Sequence, residues 1–129
     1  MCPRVLICDD AMFMRTVIAR GLEGAGWDVI AQVSDGAEAI KRVEELRPDF
    51  VTMDLVMPEM NGVDAVRGIR AVDADVCILV VSALGQEQIV REAIEAGASG
   101  VLRKPFELTD LVATAQKVLD ECAGRRASA

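Results

Sequence analysis

Short apolar runs alternate along this chain with segments whose apolar residues recur every three to four positions. Val5-Leu6-Ile7-Cys8 is a run of the first kind and predicts a strand. Met14, Val17, Ile18 and Leu22 then fall on one face of a helix that stops near Gly24 and Gly26. Trp27 to Val33 predicts a second strand, ended by Ser34-Asp35-Gly36. Ala39, Ile40, Val43 and Leu46 mark a second helix, stopped by Pro48. Phe50 to Met53 reads as a third strand, and Gly62 opens a third helix carrying Val63, Val66 and Ile69. Val76 to Val81 is a continuous apolar strand. Val90, Ala93 and Ile94 mark a fourth helix closed by Gly97, and Gly100 to Arg103 forms a short fifth strand. Leu108, Leu111, Val112, Ala115, Val118 and Leu119 stripe a final helix.

Five strands thus alternate with five helices, without internal repeat, linker or low-complexity segment. Near-continuous apolar strands in strict alternation with helices predict an α/β fold: a doubly wound parallel sheet covered on both faces. Residues 1–129 read as a single domain, a length that buries roughly two-thirds of the unfolded surface. Right-handed crossovers place every strand's C-terminal end on one edge of the sheet, where function in such sheets collects.

The chemistry stands at those ends. The first strand runs into Asp9-Asp10, the third into Asp54, the fourth into Ser82, and the fifth into Lys104-Pro105. Asp54 is the conspicuous one, because VTMDLVMPEMNG sets a carboxylate inside an apolar run, and burying an unpaired carboxylate is costly. Three carboxylates close together repel, and one stays protonated unless positive charge is supplied. Lys104 supplies one unit. The remaining deficit suits a hard divalent cation with oxygen ligands, best Mg2+, which takes one or two carboxylates plus waters and phosphate oxygens. Such an ion beside a carboxylate and an ammonium is apparatus for phosphoryl transfer, in which an aspartate can itself be the nucleophile.

Composition narrows the field further. Apolar residues make up 52% of the chain, so disorder is not expected. The net charge of −7 argues against nucleic-acid or anionic-membrane binding, and the Arg125-Arg126 pair is too small a basic patch to alter this. With no histidine, histidine metal sites and histidine general bases are excluded. The four cysteines (Cys2, Cys8, Cys77, Cys122) form no C-x-x-C pair. Cys8 and Cys77 sit in apolar runs and read as core thiols in a reducing compartment. The opening MCPRVLICDD does not fit a signal peptide, and no apolar stretch approaches the ~20 residues of a membrane span. A soluble cytoplasmic protein is expected.

VLICDD, MDLVMPEMNG, VVSALG and EAGASGVLRKPF, in this order and at these spacings, resemble the receiver domain of two-component response regulators, most of all single-domain chemotaxis regulators of the CheY type. The resemblance runs from Val5 to about Glu121. It implies strand order 2-1-3-4-5 and makes Asp54 the phosphoacceptor for a sensor histidine kinase. It further implies that Asp9, Asp10, Asp54 and the backbone carbonyl of Val56 hold Mg2+. Ser82 and the Ala83 N–H would meet phosphoryl oxygens, Lys104 would pair with another, and the Lys104-Pro105 peptide would be cis. Ser82 would move inward on phosphorylation and re-pose the fourth helix. A face including Gln88, Arg91, Glu92, Glu95, Val101 and Arg103 would then meet a downstream protein, such as a flagellar motor switch. The chain would catalyse nothing beyond its own phosphorylation and dephosphorylation.

Three residues depart from the family's best-known pattern. Val101 stands where many members carry an aromatic ring that moves with the switch serine or threonine, so an aromatic switch is in doubt. Val56 and Leu84 are apolar where some relatives have polar groups that orient a hydrolytic water, which implies slow self-dephosphorylation. Two other classes compete. An aspartyl-nucleophile phosphohydrolase would carry an acid at the position of Val56, and a flavodoxin-like carrier would have a Ser/Thr/Gly-rich phosphate loop in place of Asp9-Asp10. Within the receiver reading, the chain could also be the receiver of a longer transcriptional regulator or a phosphorelay intermediate.

Overall fold

The computed structural model describes the backbone of residues 2–128 and the side chains of residues 2–124; the side chains of Arg125 and Arg126 lie outside the described residues. The elements are β1 (Arg4–Cys8), α1 (Met12–Gly24), β2 (Asp28–Val33), α2 (Gly36–Leu46), β3 (Phe50–Asp54), α3 (Gly62–Val72), β4 (Cys77–Ser82), α4 (Glu87–Ala96), β5 (Gly100–Arg103) and α5 (Leu108–Ser128). All strand pairs are parallel, and the order across the sheet is β2-β1-β3-β4-β5. This matches the expected alternation and order.

Helices on both faces explain why β3 and β4 are buried along their whole length. Leu6, Cys8, Val51, Met53, Ile78 and Val80 face one cluster, filled by Val43 of α2, Val66 and Ile69 of α3 and Ala93 of α4. Val5, Ile7, Phe50, Cys77 and Leu79 face the other, against Ile18 and Leu22 of α1 and Leu111, Ala115 and Val118 of α5. Each fully buried aliphatic side chain here contributes about 1.5–3 kcal/mol. Cys8 and Cys77 are core thiols as expected, and Cys122 joins them. No helix among the described residues is long and apolar enough to cross a membrane.

Three local expectations are corrected. Trp27 does not belong to β2. Its N–H bonds the Leu22 carbonyl at 3.0 Å, closing the end of α1, and its ring meets Phe50 edge-on at 5.0 Å. Burial against α1 and β3, rather than strand pairing, accounts for its apolar character. Ile94 is not an inward residue of α4, being 45% exposed. The side of α4 that meets the core carries Ile89, Val90, Ala93 and Ala96. Leu108, read as part of the α5 stripe, is also nearly half exposed.

Candidate functional site

Each carboxylate owes its place to the sheet. β1 pairs Cys8 with Met53 of β3, so Asp9 and Asp10 leave β1 beside the residue that closes β3, Asp54. One carboxylate oxygen from each of Asp9, Asp10 and Asp54 lies within 4.8 Å of the other two. Asp9 and Asp54 are buried, while Asp10 is exposed. Lys104, immediately after β5, reaches back across β4. Its Nζ is 3.5 Å from Asp9 Oδ2 and 3.6 Å from Asp54 Oδ1.

Asp9 is fixed from both ends. Its Oδ1 accepts the Ala11 N–H at 2.9 Å, and its backbone carbonyl accepts Arg15 Nη1 at 2.6 Å. Ala11 is the N-cap of α1 and makes no side-chain cap bond. Asp9 Oδ2 is buried without a hydrogen bond and faces the ammonium of Lys104. Burial, and then the negative charge of Asp9, push the Asp54 carboxyl up to about 6 from 3.8, with Asp10 adding to them; Lys104 and the Val56 N–H oppose the rise. One ammonium thus leaves the three carboxylates under-neutralised. An oxygen with uncommitted lone pairs inside a triad of hard donors fits a divalent cation.

The loop that carries the chain away from Asp54 is tightly specified. Glu59 takes a left-handed φ of 67°, Met60 N–H bonds the Pro58 carbonyl, and Gly62 N–H bonds the Leu55 carbonyl. Asn61 caps α3 by accepting the Asp64 N–H at 2.9 Å. Gly62 lies so close to the end of β3 that a Cβ there would meet the Asp54 carbonyl oxygen. The MPEMNG run is therefore a turn built so that α3 can start against the backbone of the site.

Ser82 closes β4 on the same edge, beside Val81, which pairs with Asp54. It is fully buried and its hydroxyl has no hydrogen-bond partner. Its carbonyl accepts the Lys104 N–H at 2.7 Å, which ties the two strand ends together. The Ala83 N–H is held by the side chain of Gln86 at 2.8 Å. The sequence places Gln86 in the loop that Ser82 would draw with it, but gives no sign of this contact, because a glutamine before a helix carries no capping signal. Val56 is half-exposed beside Asp54, Leu84 is 86% exposed, and the Lys104-Pro105 peptide is cis. Gln88, Arg91, Glu92, Glu95 and Arg103 are exposed on the far side of α4 and β5, whereas Val101 is partly buried against the core. Arg103 pairs with Glu87 at 3.5 Å.

Residues 5–116 match the family model described as the response regulator receiver domain. The chain is 46% identical over 115 residues to a chemotaxis protein CheY of Thermotoga maritima, covering 89% of this chain and 96% of that one. It is 42% identical to the chemotaxis protein CheY of Bacillus subtilis, covering 93% of this chain and all of that one. Among solved structures, a chemotaxis response regulator of Vibrio cholerae superposes with a TM-score of 0.83 at 29% identity, covering 92% of this chain and 99% of that one. With its sheet order, its acidic sheet edge and these likenesses, the chain belongs to the receiver domains of response regulators, the phosphorylation-activated switches of two-component signalling.

Proposed function

We propose that Asp54 is the phosphoacceptor and that residues 1–129 act as one receiver unit. A histidine kinase is the donor. An Asp54 carboxylate oxygen attacks phosphorus, a P–O bond forms, and the P–N bond to the kinase histidine breaks as that imidazole takes up a proton. Asp9, Asp10, Asp54 and the Val56 carbonyl would hold Mg2+. When bound, the ion neutralises charge on the phosphoryl oxygens. Lys104, already within 3.6 Å of both Asp9 and Asp54, neutralises another phosphoryl oxygen. Ser82 and the Ala83 N–H complete the set, the buried Ser82 hydroxyl donating to a phosphoryl oxygen once it turns inward.

The observation that carries this reading is the clustering of three carboxylates around a single ammonium. Phosphorylation adds acceptor oxygens beyond the Asp54 carboxylate, and the Ser82 side would follow them, re-posing α4. The face of Gln88, Arg91, Glu92, Glu95, Val101 and Arg103 is where a downstream protein would read the change. The CheY relatives support chemotaxis as the setting, with a flagellar motor switch as the candidate target. Mass spectrometry after treatment with acetyl phosphate tests the reading. One added phosphoryl group is expected with Mg2+, far less with EDTA, and none on an Asp54→Asn variant. Equal labelling of that variant would overturn it.

A further inference from the structure

We infer that Gln86 is a built-in competitor for the phosphoryl group, its amide oxygen occupying in the resting form the Ala83 N–H that the phosphoryl oxygen needs. The inference rests on the reading of Ala83 given under Proposed function. Gln86 stands at the N-cap position of α4 but does not cap it; its side chain turns back three residues instead. The 2.8 Å contact is a well-formed hydrogen bond between a backbone N–H and an sp² oxygen. A phosphoryl oxygen is an acceptor of the same kind, and one N–H cannot serve both fully.

Besides Gln86, the loop between the two residues is held by the Glu87 carboxylate, which accepts the Gly85 N–H and pairs with Arg103 at 3.5 Å. Leu84 is 86% exposed, and Gly85 takes a φ of 91° with open space around it. The Gln86 backbone, in turn, leads into α4, its carbonyl accepting the Val90 N–H at 3.0 Å. A phosphoryl oxygen arriving at Ala83 therefore expels a side chain mounted on the N-cap of the helix that has to move. Ser82 supplies a second reason for this arrangement. Its buried hydroxyl has no partner at rest, so the site gains one bond at Ser82 while it exchanges another at Ala83. Gln86 thus raises the threshold for the active arrangement and links its release to α4.

The test is titration with beryllofluoride in the presence of Mg2+, followed by proton–nitrogen NMR. In the wild type, the Ala83 amide and the Gln86 side-chain NH2 signals are expected to shift together. Gln86→Ala and Gln86→Met should bind beryllofluoride about two- to tenfold more tightly, the range that one neutral hydrogen bond commands. The methionine variant keeps the bulk of the side chain without its acceptor, so the same gain in both separates competition from packing; a merely structural role would weaken binding. Unchanged or weaker affinity in both variants, with the wild type still binding, overturns the role of Gln86 and leaves the receiver site intact. Gln86 NH2 signals that stay fixed at wild-type saturation overturn it without recourse to any variant. A wild type that fails to bind beryllofluoride at all removes the Asp54 reading and this inference together.

Discussion

A methyl group at Gly62 would lie 2.5 Å from the Asp54 carbonyl oxygen and 2.6 Å from Leu55 Cα. Backbone atoms at that distance cannot swing aside as a side chain can. Gly62→Ala is expected to cost about 1–3 kcal/mol in urea unfolding. It should also slow acetyl-phosphate labelling, because relief of the clash has to shift the end of β3. Val56 and Leu84 bear on the opposite step, loss of the phosphoryl group. Both are exposed and apolar, so neither holds a water in line with phosphorus. Introducing polar groups with Val56→Asn and Leu84→Glu together should shorten the half-life of the phosphorylated protein, measured by its decay after donor removal, by about 10-fold or more, within the range a positioned polar group contributes.

α4 is the least anchored helix with respect to the core: Ala93 is its one fully buried residue, against five such residues in α3. Local opening follows buried contact, so amides of α4 should exchange with deuterium well before those of β1, β3 and β4 in native-state exchange. Equal protection across these elements would contradict a mobile α4. The same contrast explains what could be read from residues alone. The strands are legible because coverage on both faces makes them continuously apolar, and Asp9, Asp10, Asp54, Ser82 and Lys104 are legible because parallel strands end on one edge. Ile94 was misread because an amphipathic stripe does not say where the core stops. Trp27 was misread because an aromatic next to a strand looks like part of it, although its partners are Leu22 and Phe50. The Gln86 contact with Ala83 could not be read from the sequence, because it depends on a loop bending back through three residues.

At the scale of the whole molecule, Asp54, the proposed acceptor, ends the central strand β3, and the elements expected to respond lie toward β4 and β5 rather than β2. The charge cluster also reaches global stability. The Asp54 carboxyl is raised in the fold, so between about pH 4 and 6 the native state binds more protons than the unfolded state. Stability without metal should therefore fall as pH rises through that window, by about 1–3 kcal/mol in all. Urea midpoints measured in EDTA from pH 4 to 7 should show this fall, and Asp54→Asn should flatten it and be the more stable protein at pH 7. The lone hydroxyl of Ser82 carries a different lesson, about noise. Interred without an acceptor, it withholds roughly 1–3 kcal/mol from the quiet state, so in the switch proposed above the gap to the signalling state is narrower than good packing alone would set. A modest chemical stimulus then suffices to tip the balance, and some molecules will speak before they are told to.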